Sequence, residues 1–224
     1  MTVPMTATLR LLGILAAGAV ALALVASVAR ERAQADGRLQ TADGDTVVIT
    51  DAARAAGPRF HADLAPADRA WILAALARAR PEAARLIAEV DGLVQFGTAV
   101  ESGALGVTRS GPRGFTVDLD IARLNNDRAL DRATVVLHEL GHVVDFALVP
   151  AAVDKALDAQ IPRGGPCGLA LDCDVVEERF ADTFAKWALN GAVSSFGAGY
   201  GIALPASLED WGAPLVQIVL TLER

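Results

Sequence analysis

The segment VVLHELGHVV, residues 135–144, constrains the fold more than any other part of this chain. Apart from Gly141, its only residues that are not aliphatic are His138, Glu139 and His142. The pattern around it is helical, and its apolar neighbours predict that the helix is buried. Burying two imidazoles and a carboxylate would be costly without a cation. The segment therefore predicts a buried helix that holds a metal ion.

The spacing of the two histidines supports a shared ion. Positions i and i+4 of a helix differ by about 40° around its axis and lie one turn apart, so both imidazoles point the same way. Glu139 lies on the same side, where it flanks the ion without having to ligate it. Zinc accepts imidazole nitrogens and carboxylate oxygens, and catalytic zinc sites use three protein ligands plus water. We therefore expect Zn²⁺, with His138 and His142 as two of its ligands.

The third ligand is expected to be acidic. The pattern H-E-x-x-H-x-x-G-x-x-H, which would supply a third histidine, is excluded because Asp145 and Leu148 occupy its last two places. His61 is the only other histidine of the chain. It precedes the first predicted helix, and we interpret it as a surface or packing residue.

The stretch DVVEERFADTFAKWALNG, residues 174–191, supplies acids on a second predicted helix. Glu178 and Asp182 lie one turn apart on one side of it. The alanines beside these two acids, together with Gly141 on the first helix, would let the two helices approach closely. Glu177 is a rival ligand, and we favour Glu178 because Asp182 stands one turn beyond it. The opposite face is predicted to be core and consists of Val176, Phe180, Thr183, Phe184 and Trp187.

The order of these two motifs, H-E-L-G-H and then E-x-x-A-D, resembles that of the gluzincin metallopeptidases. It is most similar to the branch that includes anthrax lethal factor-like catalytic domains. The resemblance implies that Glu178 is the third zinc ligand and that Asp182 supports the site. It also implies a small sheet whose edge strand binds an extended peptide substrate. That branch has a tyrosine seven residues before the third ligand, where this chain has Leu171. Tyr200, the sole tyrosine, is the remaining candidate for a tyrosine oxyanion donor.

Asp145 is a further candidate for the site. It lies seven residues after His138 and therefore faces the same side of the helix. An acid in the last turn of a helix opposes the helix dipole. Acceptance of an N–H from a ligating histidine would explain its position. The alternative is an exposed acid at the end of the helix.

The elements along the chain predict an α+β fold. Helical patterns come first, short β-branched stretches follow, and helices return, which indicates a zincin-like small mixed sheet packed on the active-site helix and a C-terminal helical lobe. The domain is expected to span residues 46–224. The predicted strands are 46–50, 92–100, 104–109 and 114–124, with a tight turn at 110–114; the predicted helices begin at Pro66 and Pro81 or cover about 130–149, 175–190 and 206–222.

One N-terminal hydrophobic helix is expected to precede this domain. The run from Leu11 to Ala29 contains 19 uncharged residues, enough for a helix to cross a bilayer core. We favour a transmembrane anchor within residues 1–29. A signal peptide is the alternative, because 27–29 and 33–35 both offer a small-x-small cleavage pattern. Residues 30–45 are polar and are predicted to be a linker.

The two cysteines favour a location of the domain outside the cytoplasm. Cys167 and Cys173 are the only cysteines, and the short loop between them can close as a disulfide in an oxidising compartment. The net charge of −7 argues against nucleic acid as a partner. We therefore expect a single-pass protein of the cell membrane, or a secreted one if the N-terminal segment is cleaved.

Together these features predict a zinc metallopeptidase that acts on peptides or proteins. Glu139 would be the general base that takes a proton from a zinc-bound water. The alternative is a zincin-like domain that binds a metal or a partner without catalysis.

Overall fold

The computed structural model describes residues 57–100, 103–163, 175–191 and 202–222, together with the backbone of two short N-terminal strands. These strands, β1 (Arg38–Gln40) and β2 (Thr46–Val48), pair antiparallel. Part of the predicted strand 46–50 is therefore confirmed, and β1 lies in the segment expected to be a linker. Within the described ranges, no helix is both long and apolar enough to cross a membrane. The hydrophobic run 11–29 lies outside these residues.

The described domain contains a four-stranded mixed sheet. Its four strands are β3 (Arg59–Phe60), β4 (Val94–Gly97), β5 (Gly106–Gly111) and β6 (Gly114–Leu119). They lie in the order β3-β4-β6-β5. The pairs β3–β4 and β4–β6 are parallel, whereas β5 is antiparallel to β6. The edge strand β5 is thus the only strand of this sheet that runs in the opposite direction.

The turn between β5 and β6 has the position that the sequence predicts. Two residues, Pro112 and Arg113, separate the paired Gly111 and Gly114. Gly114 has a φ of +112°, and a Cβ atom there would lie 2.2 Å from the carbonyl oxygen of Leu93. Only glycine fits this conformation and this space.

Seven α-helices complete the described part of the domain, and the α+β class is confirmed. A 3₁₀ turn, Asp91–Leu93, leads into β4. The helices are α1 (Pro66–Leu76), α2 (Pro81–Val90), α3 (Ile121–Asn126), α4 (Arg132–Leu148), α5 (Ala151–Asp158), α6 (Val176–Ala188) and α7 (Leu208–Leu222).

Four elements are absent from the sequence prediction, namely β1, β3, α3 and α5. The strand predicted for 114–124 is wrong beyond Leu119, because the carboxylate of Asp120 accepts a hydrogen bond from the backbone N–H of Arg123 at 3.0 Å and starts α3. Such a side chain satisfies one of the unpaired N–H groups of a helix start. Helix α5 was not predicted, and it begins directly after Pro150, the residue that ends the pattern of α4.

Helix α4 carries the H-E-x-x-H motif and lies in the middle of the domain. All of its residues except Arg132 and Phe146 are buried. It packs against α1, α2, α6 and the strands β5 and β6. Its first turn is capped by Asp131, whose carboxylate accepts a hydrogen bond from the N–H of Ala133 at 3.2 Å. The predicted buried helix is therefore confirmed, and its surroundings position the motif.

Helix α6 is held between α4 and α7. Its predicted core face is buried, apart from the partly exposed Val176. Aromatic rings of this face contact Trp211 of α7, with the centroids of Phe180 and Trp187 at 5.6 and 6.4 Å from it. This packing orients α6 about its own axis, so that its opposite side faces away from α7.

Candidate metal centre

Three side chains from two helices meet beside the centre of α4. His138 and His142 come from successive turns of α4, and Glu178 comes from the first turn of α6. The Nε2 atom of His138 lies 3.2 Å from Oε2 of Glu178, and Nε2 of His142 lies 3.6 Å from Oε1. One potential ligand atom from each residue lies within 4.8 Å of the others. These residues form a group that could hold a metal ion.

The separations suit a tetrahedral ion. Two ligand atoms bound at about 2.0–2.1 Å to such an ion lie about 3.3 Å apart. The distances of 3.2 Å from His138 to Oε2 of Glu178 and 3.6 Å from His142 to Oε1 are both close to that value. The donor set of two imidazole nitrogens and one carboxylate also suits a divalent transition metal.

The charges of the group favour a bound cation. Burial by itself would lower the pKa of His138, but the hydrogen bond to Glu178 and the charges of nearby carboxylates outweigh it and raise that pKa. Burial by itself would raise the pKa of Glu178, yet hydrogen bonds and charge from His138 and His142 hold it well below its ordinary value. The pocket therefore stabilises positive charge beside an ionised Glu178. Because an imidazole ligates a metal in its neutral form, a divalent cation and a proton would compete for His138.

The close contact of α4 and α6 allows Glu178 to reach the imidazoles. A Cβ atom at Gly141 would lie 2.8 Å from Cα of Ala181. This close approach is the one that the small residues of both helices predict. Arg179, the fully buried neighbour of Glu178, donates hydrogen bonds to Oδ1 of Asp158 and to the carbonyl of Ile161, both at 2.6 Å. These bonds fix the rotation of α6 and so the direction of Glu178.

Glu177 has a different environment from its neighbour. It is exposed and is not part of the group that could hold a metal. Its charge acts on Asp145 and Asp154. Of the two acids that compete in the sequence as third ligand, Glu178 is thus the one close to the imidazoles.

Asp182 lies one turn beyond Glu178 and is fully buried. Its Oδ2 accepts a hydrogen bond from Lys186, which also donates to the carbonyl of Ile202 at 2.6 Å. Its Oδ1 has no hydrogen-bond partner among the described residues. The charge of Asp182 contributes to the raised pKa of His138. Asp182 therefore affects the pKa of His138 through its negative charge.

Asp145 does not make the contact that the sequence suggested. In the described part of the chain, no hydrogen bond joins it to either imidazole. The alternative of an exposed acid is wrong, because only 9% of Asp145 is exposed. Burial, together with the charges of Asp154 and Glu177, raises the pKa of Asp145 to about 8. Asp145 is therefore a buried acid beside other acids.

Glu139 is buried against the edge strand β5. Its Oε2 accepts a hydrogen bond from the hydroxyl of Thr108 at 2.8 Å. A Cβ atom at Gly106 would lie 2.5 Å from Oε1 of Glu139. Sequence reasoning missed both β5 residues. The alternation of strand side chains, which puts Gly106 and Thr108 on one face, was the available signal.

The other predicted residues lie apart from this group or outside the described residues. His61 is an exposed residue whose Nδ1 lies 2.6 Å from Oδ1 of Asp63, so the expected surface position is confirmed. Tyr200, Cys167, Cys173 and Leu171 lie outside the described residues.

No family model, curated protein or solved structure matches this chain.

Proposed function

We propose that the protein is a zinc metallopeptidase with a zincin-like fold, similar to the gluzincins. The observation that carries this proposal is the group His138, His142 and Glu178 beside Glu139: the Nε2 atoms of the two imidazoles lie 3.2 and 3.6 Å from the two carboxylate oxygens of Glu178. This geometry fits the three protein ligands and the neighbouring base of a catalytic zinc site.

The chain supplies a base for peptide hydrolysis. Zinc, when bound, would lower the pKa of a coordinated water and polarise the scissile carbonyl. Glu139 takes a proton from the attacking water and gives it to the leaving amine. Its burial at 3% exposure supports this role, because a dry pocket strengthens the electrostatic interactions of a carboxylate.

The substrate would be an extended peptide that pairs with β5. This strand lies at the edge of the sheet, and its residues Gly106 and Thr108 contact Glu139. An edge strand has backbone groups that can form hydrogen bonds with an added strand. A peptide bound in this way would pass directly beside the base and the metal.

We also propose that the domain acts outside the cytoplasm, attached to the membrane by the N-terminal segment. The hydrophobic run 11–29 and the short spacing between Cys167 and Cys173, which allows a disulfide, are the sequence features behind this proposal. The net charge of −7 argues against nucleic acid as the substrate.

A peptide-library digest by the full chain, purified in detergent and loaded with zinc, tests the proposal. We expect cleavage by the wild-type chain and loss of cleavage in Glu139→Gln, which keeps its zinc because Glu139 is not a ligand. Zinc binding with no cleavage by the wild-type chain would support a non-catalytic metal-binding domain instead. A chain that binds no zinc would contradict both functions.

A further inference from the structure

Two residues of β5 contact the carboxylate of Glu139. In a strand, alternate side chains point to the same face, so positions 106 and 108 share the face that packs on α4. Thr108 pairs with Val117 of β6, and Gly106 pairs with Leu119. Both partners are buried core residues. The edge strand β5 therefore places the hydroxyl group of Thr108 and the backbone of Gly106, which has no side chain, next to Glu139 in the core.

The hydroxyl of Thr108 contacts Glu139 at two points. Oγ1 lies 2.8 Å from the side-chain oxygen Oε2 and 3.0 Å from the main-chain carbonyl oxygen. A hydroxyl has one proton to donate, and an ionised carboxylate is the stronger acceptor. The proton therefore belongs on the bond to Oε2, and the contact with the carbonyl keeps Oγ1 close to the turn of α4 that carries the base.

Gly106 lies against Oε1, the other oxygen of the Glu139 carboxylate. A Cβ atom at this position would lie 2.5 Å from Oε1 and 2.7 Å from both Cγ and Cδ of Glu139. Every other residue type would displace the carboxylate. With Thr108 at one oxygen and the backbone of Gly106 at the other, the side chain has little freedom to change rotamer.

We propose that Thr108 is a positioning residue that holds the Glu139 carboxylate in the orientation needed for proton transfer. This inference rests on the proposed peptidase function. A glutamate has three rotatable side-chain bonds, and a misplacement of about 1 Å at a reacting group can cost about 100-fold in rate. The bond from Thr108 fixes Oε2 and leaves Oε1 with no hydrogen bond from the described residues. Oε1 is then the oxygen that takes the proton.

The competing explanation is that the hydrogen bond from Thr108 to Glu139 only stabilises the packing of β5 on α4. It predicts that loss of the hydroxyl lowers stability or metal affinity along with activity. Positioning predicts a selective loss of kcat, because the metal ligands and the strand that binds peptide are unchanged.

Three variants of the full chain separate these explanations. Thr108→Val removes the hydroxyl and keeps the shape, while Thr108→Ser keeps the hydroxyl. Thr116→Val makes the same chemical change at an exposed position of β6. For each we would measure kcat and KM with a cleaved peptide, zinc affinity by titration of the metal-free chain, and the unfolding temperature.

We expect kcat of Thr108→Val to fall about 10- to 100-fold, which corresponds to one hydrogen bond to a charged group. KM and zinc affinity should stay within about twofold, and Thr108→Ser and Thr116→Val should match the wild type. Unchanged kcat in Thr108→Val would overturn the inference alone, as would a parallel loss of zinc affinity or unfolding temperature. A zinc-loaded wild-type chain that cleaves no peptide would overturn the proposed function, and this inference with it.

Discussion

Asp145 makes the stability of the folded chain depend on pH. In the unfolded chain its pKa has the ordinary value of 3.8, and burial, with the charges of Asp154 and Glu177, raises it to about 8 in the folded protein. Between these values the folded chain holds a proton that the unfolded chain has lost. The contribution of Asp145 to the free energy of unfolding therefore falls as pH rises, by about 1.4 kcal/mol per pH unit.

Replacement of Asp145 by asparagine should remove this dependence. Relative to the wild type, we expect the unfolding free energy of Asp145→Asn to increase by up to about 4 kcal/mol between pH 5 and pH 8. Urea unfolding of both metal-free chains at a series of pH values would measure this difference. A difference that stays constant with pH would show that Asp145 titrates normally in the folded state.

Some residues of the metal group can be predicted from a single helix, whereas others depend on how several elements pack together. The pair His138 and His142 follows from helix geometry alone, because i and i+4 side chains meet within a single helix, and Glu139 belongs to the same motif. Glu178 needs a second helix to be placed correctly. It was preferred to Glu177 because of Asp182 one turn beyond, and its position beside the imidazoles agrees with that choice. The surroundings of Asp145 depend on α5, which sequence reasoning did not detect.

At the scale of elements, the contact between α4 and α6 decides whether the group can form. Gly141 and Ala181 let the two backbones approach until a Cβ atom at Gly141 would lie 2.8 Å from Cα of Ala181. Such a distance is too short for two carbon atoms in contact. A methyl group at position 141 must therefore push α6, and with it Glu178, away from the histidines.

We expect Gly141→Ala to lower both stability and zinc affinity. Helix propensity favours alanine by about 1 kcal/mol, but overpacking typically costs about 1–3 kcal/mol. We therefore expect a net loss of stability of up to about 2 kcal/mol. Thermal unfolding and zinc titration would measure the two effects. Gly111→Ala is the matched control, because the nearest atom to a Cβ there lies 3.8 Å away. Wild-type stability and zinc affinity in Gly141→Ala would mean that the helices can separate without cost.

Helices, strands and turns could be predicted where the pattern that specifies them lies within the same segment of the sequence. Helices α4, α6 and α7 have long periodic patterns, and the β5–β6 turn has its glycines. The strand predicted to run to residue 124 fails because one side chain, Asp120, caps a helix that the β-branched pattern does not suggest. Strand β3 has two residues, which is too short for any periodicity.

At the scale of the whole molecule, a bound ion would join parts of the chain that are far apart in sequence. His138 and Glu178 are separated by 40 residues, and the segment between them includes α5 and residues 164–174. A ligand that binds the folded state alone stabilises it according to its concentration and affinity. Zinc should therefore raise the unfolding temperature, and removal of zinc by a chelator should lower it.

The most direct test of the account is zinc binding to the metal-free chain and to two variants of adjacent residues. Glu177→Gln and Glu178→Gln make the same chemical change at neighbouring positions of α6. We predict that the wild type and Glu177→Gln bind one zinc ion per chain with equal affinity and the same rise in unfolding temperature. In Glu178→Gln the affinity should fall by more than about 100-fold, a larger effect than is typical for residues that only support a ligand. Failure of the wild type to bind zinc, or equal weakening in both variants, would contradict the account.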